Sequence, residues 1–163
     1  MTGSAPKVEA QLGNLRLNVL LVSGSMRSVI SLDHFQSMRR GDPKLQLLEN
    51  EVTCVTASGQ SLEIVGEVQV PLKIHGFSWT WMFLVSRRLR SQPILGADFI
   101  SKTKIVLELG RQRCYFAFAP SVTIRFRQGN YHTSCSLTRP ISTRSPKYKR
   151  ENVPPGKEPD LKV

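Results

Sequence analysis

Cysteine is scarce in this sequence: Cys54, Cys114 and Cys135 are an odd number at wide spacing. That argues against a disulfide framework and fits a reducing compartment, so the cytosol is the expected setting. Long hydrophobic runs are missing as well. No apolar stretch approaches the roughly 18 to 20 residues that span a bilayer, and no membrane role is expected. Nothing of signal-peptide length follows Met1-Thr2-Gly3-Ser4-Ala5-Pro6-Lys7, so no export signal is expected. His34, His75 and His132 lie far apart, and none pairs with a cysteine at metal-ligand spacing. Neither a metal nor another cofactor is expected. Ser23, Ser25 and Ser28 have no His and acid in a recognisable constellation, which excludes a serine-nucleophile hydrolase. Gly24 lacks the Lys and glycine spacing of a phosphate-binding loop.

Acidic residues are also few, 12 Asp/Glu against 23 Lys/Arg in 163 residues, for a net charge of +11. The excess is uneven. Residues 1–118 carry 14 Lys/Arg against 9 Asp/Glu, and residues 119–163 carry 9 against 3. From Pro120 the sequence decays into Ser, Thr, Arg, Lys and Pro, and residues 138–163 lack the apolar periodicity of a packed element. Three regions result: a polar lead-in over 1–12, one folded domain over 13–118, and a basic linker or disordered tail over 119–163. Residues 120–150 could touch nucleic acid through phosphate contacts. A solvated linker is favoured, since only Phe126, Tyr131 and Tyr148 are there to stack on bases.

Within the domain the signals are those of strands. Leu15 to Val22 alternates and then turns continuously apolar, as a strand entering a core does. Val52 to Ala57 and Ser61 to Val65 flank Ser58-Gly59-Gln60, which reads as a hairpin with glycine supplying the positive φ. Val68, Val70, Leu72 and Ile74 share one face of a strand. Pro71 points outward from it and requires a free edge nearby. His75-Gly76 turns the chain into a strand over Trp79 to Val85, apolar enough for burial on both sides. Trp79 and Trp81 share one of its faces and belong to the core or to the approach to a cleft. Ile105–Leu109 and Cys114–Phe118 form a last hairpin, and Val122 to Phe126 alternates as one further strand. Two short helices are predicted. One runs from Leu32 to Met38 with Ser31 as N-cap and Asp33 in its first turn. The other begins at Ala97-Asp98 and ends before Lys104. An almost all-β domain follows.

Two segments about seventy residues apart stand out. The first is Leu20-Leu21-Val22-Ser23-Gly24-Ser25-Met26-Arg27-Ser28-Val29-Ile30-Ser31, and the second is Pro93-Ile94-Leu95-Gly96-Ala97-Asp98-Phe99-Ile100. Together they resemble the signature stretches of the retropepsin-like aspartic proteases, especially those of gypsy-type LTR retrotransposon polyproteins. The resemblance covers Leu15 to Phe118. It implies an all-β, closed acid-protease barrel, a homodimer with its site on the two-fold axis, and extended peptide or polyprotein segments as partners. It also implies an active-site turn at Ser23, Gly24 and Ser25, a flap at Ser58, Gly59 and Gln60, and a structural second signature at Ile94, Leu95, Gly96 and Asp98.

An aspartic protease works with two carboxylates sharing one proton. One is the base for a water and the other the acid for the scissile carbonyl. Each protomer of a retropepsin contributes one Asp, from the first signature. Here Val22 occupies that position, or the Asp has been deleted between Val22 and Ser23, and no catalytic residue is intact. Asp33 falls beyond the turn, on the first helix. The expectation is an aspartic endopeptidase-type domain, from a retrotransposon polyprotein or a domesticated derivative, that is a pseudoenzyme. Its setting would be the cytoplasm, within virus-like particles if the element forms them. Two alternatives stand beside it: an active endopeptidase represented by an inactivated copy, and a basic nucleic-acid-binding module acting through its tail.

Overall fold

The computed structural model describes residues 5–56 and 58–127. Strand β1 (Lys7–Leu12) pairs antiparallel with β2 (Leu15–Leu21) along its whole length, Lys7 opposite Leu20 and Leu12 opposite Leu15. Gly13, at φ 58, opens the two-residue turn between them, as tight hairpins require. The polar lead-in expected over residues 1–12 is thus corrected, because Lys7–Leu12 is a wall of the barrel. Val8, Ala10 and Leu12 point into the core and are buried, with Glu9 and Gln11 on the opposite face. Three apolar residues at alternate positions suffice for a strand that buries one face.

After β3 (Val29–Ser31) comes helix α1 (Leu32–Gly41), capped by Ser31, whose hydroxyl accepts from the His34 amide at 3.0 Å. Phe35 and Met38, three positions apart, are its buried face. The helix outlasts the expected end at Met38, with Arg39 and Arg40 beside its negative C-terminal pole. A long hairpin of β4 (Ile64–Ile74) and β5 (Phe77–Ser86) turns at His75 and Gly76, both at positive φ (52° and 91°), the geometry that matches strand twist. Alternate residues Val68, Val70, Leu72 and Ile74 are buried as expected. Pairing of β4 with β1 stops at Leu12 opposite Leu72, next to Pro71, so the edge that proline needs is there. Burial on both faces of β5 holds only from Phe83 to Ser86; Ser78 and Thr80 are exposed.

Strand β6 (Ile94–Leu95) closes the barrel, in the order β1-β2-β6-β3-β5-β4. Helix α2 (Ala97–Thr103) follows at the expected place, then a separate sheet of β7 (Ile105–Glu108), β8 (Arg113–Phe116) and β9 (Ile124–Arg125). A short 3-10 turn at Leu109–Arg111 joins β7 to β8. The expected boundary at Phe118 is therefore too early. The Arg127 amide donates to the Lys7 carbonyl at 2.7 Å, tying the stretch after β9 back to β1. Cys54 and Cys114 are free thiols, the latter buried, and burial pushes the Cys114 thiol up to about 12. Among the described residues no helix is long and apolar enough to cross a membrane. Cys135 and nearly all of the basic tail, including most of the expected nucleic-acid segment 120–150, lie outside the described residues.

Candidate functional site

The two sequence signatures, far apart in the chain, meet side by side. Strand β6 lies parallel to β2, with Leu20 opposite Ile94 and Leu21 opposite Leu95, and antiparallel to β3 at Val29 opposite Ile94. The chain between β2 and β3 therefore loops around the end of β6. Val22 is the first residue past β2. Its amide donates to the Leu95 carbonyl at 3.0 Å, and its own carbonyl accepts from the Ser25 amide at 3.1 Å. Residues 22–25 thus make a tight turn with Ser23 and Gly24 exposed at its tip and Val22 half-buried at its root.

Ser28 is the centre of the adjoining lattice and is fully buried. Its hydroxyl donates to Asp98 Oδ1 at 2.8 Å and accepts from Trp81 Nε1 and from the Gly96 amide, both at 3.1 Å. One proton and two lone pairs are all used, so this buried hydroxyl carries no desolvation penalty. The Ser28 amide donates to Asp98 Oδ2 at 3.0 Å, and the Phe99 amide to Asp98 Oδ1 at 2.8 Å. Arg27 adds its guanidinium, 3.8 Å from Asp98 Oδ2 and 3.2 Å from Glu67 Oε1 on β4. Both oxygens of Asp98 are occupied by internal donors. It anchors the first signature to α2, with three internal hydrogen bonds and the Arg27 charge directed at its carboxylate.

Gly96 is demanded by contact rather than by backbone angle. A Cβ there would stand 2.4 Å from the Ser25 carbonyl oxygen and 2.7 Å from that of Arg27. The reason is a close crossing: the Ala97 amide donates to the Ser25 carbonyl at 2.6 Å. At Gly24 a Cβ would meet nothing within 4 Å, and its φ lies outside the left-handed region. Nothing in a single chain requires glycine at Gly24.

Ser58, Gly59 and Gln60 sit at an exposed loop tip, with Gly59 at φ 90 as expected. The flanking strands predicted over Val52–Ala57 and Ser61–Val65 are reduced to one bridge, Val55 to Ser61, with β4 beginning at Ile64 (Ala57 lies outside the described residues). Val52 and Val55 are 37% and 61% exposed, so no core face orders them into a ladder, and Glu63 at φ 50 interrupts the run. The tip is held by its own bonds, Thr56 amide to Gln60 carbonyl at 2.8 Å and Gly59 amide to Thr56 carbonyl at 2.9 Å. The sequence reading did not anticipate the hydrogen bond from Trp81 to Ser28 or the ion pair of Arg27 with Glu67. The signal for the first was the indole on a strand otherwise apolar; for the second there was none.

Among solved structures, the retroviral protease-like domain of Ddi1 from Leishmania major superposes with a TM-score of 0.61 at 14% identity. It covers 77% of this chain and 96% of that one. The fold is retropepsin-like. The EIAV protease complexed with the inhibitor HBY-793 superposes with a TM-score of 0.52 at 21% identity, over 63% of this chain and 91% of that one. No family model matches the chain, and neither does any curated protein. The paired signatures meet at the end of β6, and the loop tip at 58–60 is bonded to itself.

Proposed function

We propose that this chain is a retropepsin-like domain of a retrotransposon polyprotein, or a domesticated derivative, that has lost aspartic-peptidase chemistry. It pairs with a second copy and holds extended peptide segments by strand addition. The observation that carries this reading is the place of Val22. It stands at the root of the turn, with its amide and carbonyl fixed by Leu95 and Ser25, and it offers an isopropyl group where the chemistry needs a carboxylate. Valine neither ionises nor polarises water. A symmetric pair shares one site on its axis, so both carboxylates would be absent at once. Asp98, the acid of the second signature, supports the same reading because its oxygens are bound by Ser28, Phe99 and Arg27.

The test is cleavage of a peptide library by the natural chain beside Val22→Asp at mildly acidic pH, with and without a transition-state aspartic-protease inhibitor. The natural chain is expected to cut nothing, and the variant to cut in an inhibitor-sensitive way. Cleavage by the natural chain sinks the loss of chemistry. A strict monomer in sedimentation at high micromolar concentration removes the pairing.

A further inference from the structure

We propose that an aromatic pocket at the C-terminal end of α2 is a docking site for short acidic–hydrophobic peptide segments of a partner protein. The pocket has a volume of about 440 Å³ and is lined by β5 (Trp79, Thr80, Trp81), the end of α2 (Lys102, Thr103, Lys104) and the residues after β8 (Ala117, Phe118). None of these belongs to the turn at 22–25 or to the loop tip at 58–60; Trp81 alone also reaches the signatures, through its bond to Ser28.

The aromatic part is packed ring against ring. Trp79 and Trp81 pack edge-on against Phe99, with centroids 5.2 and 5.1 Å away. Phe118 stacks on Phe116 at 5.2 Å with the planes 18° apart, and still leaves 59% of its surface exposed. An exposed phenylalanine held in place by stacking offers a preformed apolar contact that loses little entropy on binding. The volume is at the small end of ligand pockets, about 300–1,000 Å³, and suits one or two large apolar side chains.

The rim decides the sign of the occupant. Lys102 and Lys104 are exposed, and neither joins an ion pair among the described residues. Lys104 is also fixed in position. It caps α2 in the left-handed conformation, and its carbonyl accepts from the Ala117 amide at 3.1 Å. The Thr103 hydroxyl is spent on the Phe99 carbonyl at 2.8 Å, so Thr103 adds no free polar group. Two unpaired ammonium groups beside an aromatic bowl complement a large apolar side chain with a carboxylate next to it. Residues 119–163, with nine Lys/Arg against three Asp/Glu, have as a whole the same sign as the rim.

The experiment is selection of a random short-peptide library on the immobilised full chain, with counter-selection on the double variant Lys102→Glu, Lys104→Glu. Recovered peptides are expected to join a large apolar residue to a neighbouring Asp or Glu. Made synthetically, they should bind the natural chain about tenfold more tightly than the double variant and weaken as salt rises. Phe118→Ala, which keeps every charge, should lose a similar factor. Both variants change exposed side chains, and circular dichroism is the check that they fold. Recovery of no peptide, of peptides lacking the acid, or of peptides that bind both chains equally overturns the proposal. Loss of self-association by the double variant in sedimentation would assign the face to a second copy and also overturn it.

Discussion

Ser28 and Val22 lie six residues apart and have opposite surroundings. At Ser28 each donor and acceptor of the side chain is matched, in a fully buried position shared by β3, β5, β6 and α2. At Val22 the backbone is tied down just as firmly, but the turn beyond it ends in bare Ser23 and Gly24. The hydrogen-bonded lattice beside the turn is therefore complete, while the side chain at the root of the turn is an alkyl that takes no part in it. Architecture and side-chain chemistry are separable here, because the hydrogen bonds that shape the turn come from the backbone, that of Val22 included, and from Ser28 and Asp98, not from the side chain of residue 22. The same separation makes Val22→Asp a fair test of the proposed function, because it changes a side chain that the lattice does not use.

The largest effect should come from the lattice side. Asp98→Ala removes the acceptor for three donors, two of them on fully buried Ser28. Leaving them unpaired is expected to cost about 3–5 kcal/mol, read as a lower urea midpoint at unchanged slope. Asp98→Asn should fall between it and the natural chain, since an amide presents one acceptor where the carboxylate presents two. Next comes Gly96→Ala. Its methyl would sit 2.4 Å from a backbone oxygen that cannot swing away, and we expect a loss of about 2–3 kcal/mol in the same measurement. Equal stability of either variant would dissolve the contrast between a filled lattice and an open turn.

A smaller effect is the pH dependence set by Cys114. Its folded value of about 12 exceeds its unfolded one, so folding favours the neutral thiol. Stability from this group is complete below the unfolded value of 9.0 and declines as pH rises from there toward 12. Cys114 should accordingly resist alkylation at pH 8 in the folded chain and react once urea unfolds it, as followed by mass spectrometry. The smallest effect is Gly24→Ala, expected to change folding by less than about 0.5 kcal/mol, because the added Cβ meets nothing. If the same variant weakens self-association in sedimentation, the requirement for glycine lies between chains, which sharpens the contrast with Gly96.

Much of this was readable from the sequence. Alternation gave β4, turn chemistry gave the β4–β5 hairpin, and Ser31 announced α1. The paired signatures gave the retropepsin-like barrel, which composition alone would not. Strand β1 was missed because Lys7, Glu9 and Gln11 mask the apolar alternation of Val8, Ala10 and Leu12. The strands around 58–60 were overcalled because β-branched residues signal a strand only where a core exists to bury them. Contacts such as Arg27 with Glu67 depend on register between distant strands, which no local pattern reports.

Strand β6 has one further consequence, concerning time rather than geometry. It is only two residues long, yet it fills the slot between β2 and β3, arriving from some seventy residues downstream. Until Ile94 and Leu95 have been synthesised and inserted, the barrel has a gap and residues 22–28 have nothing to loop around. Assembly is therefore governed by a late, long-range closure, which slows folding compared with a hairpin-built sheet of the same size. A nascent chain stalled before residue 94 would expose β2 and β3 as two open edges, the state in which this protein is most vulnerable to aggregation.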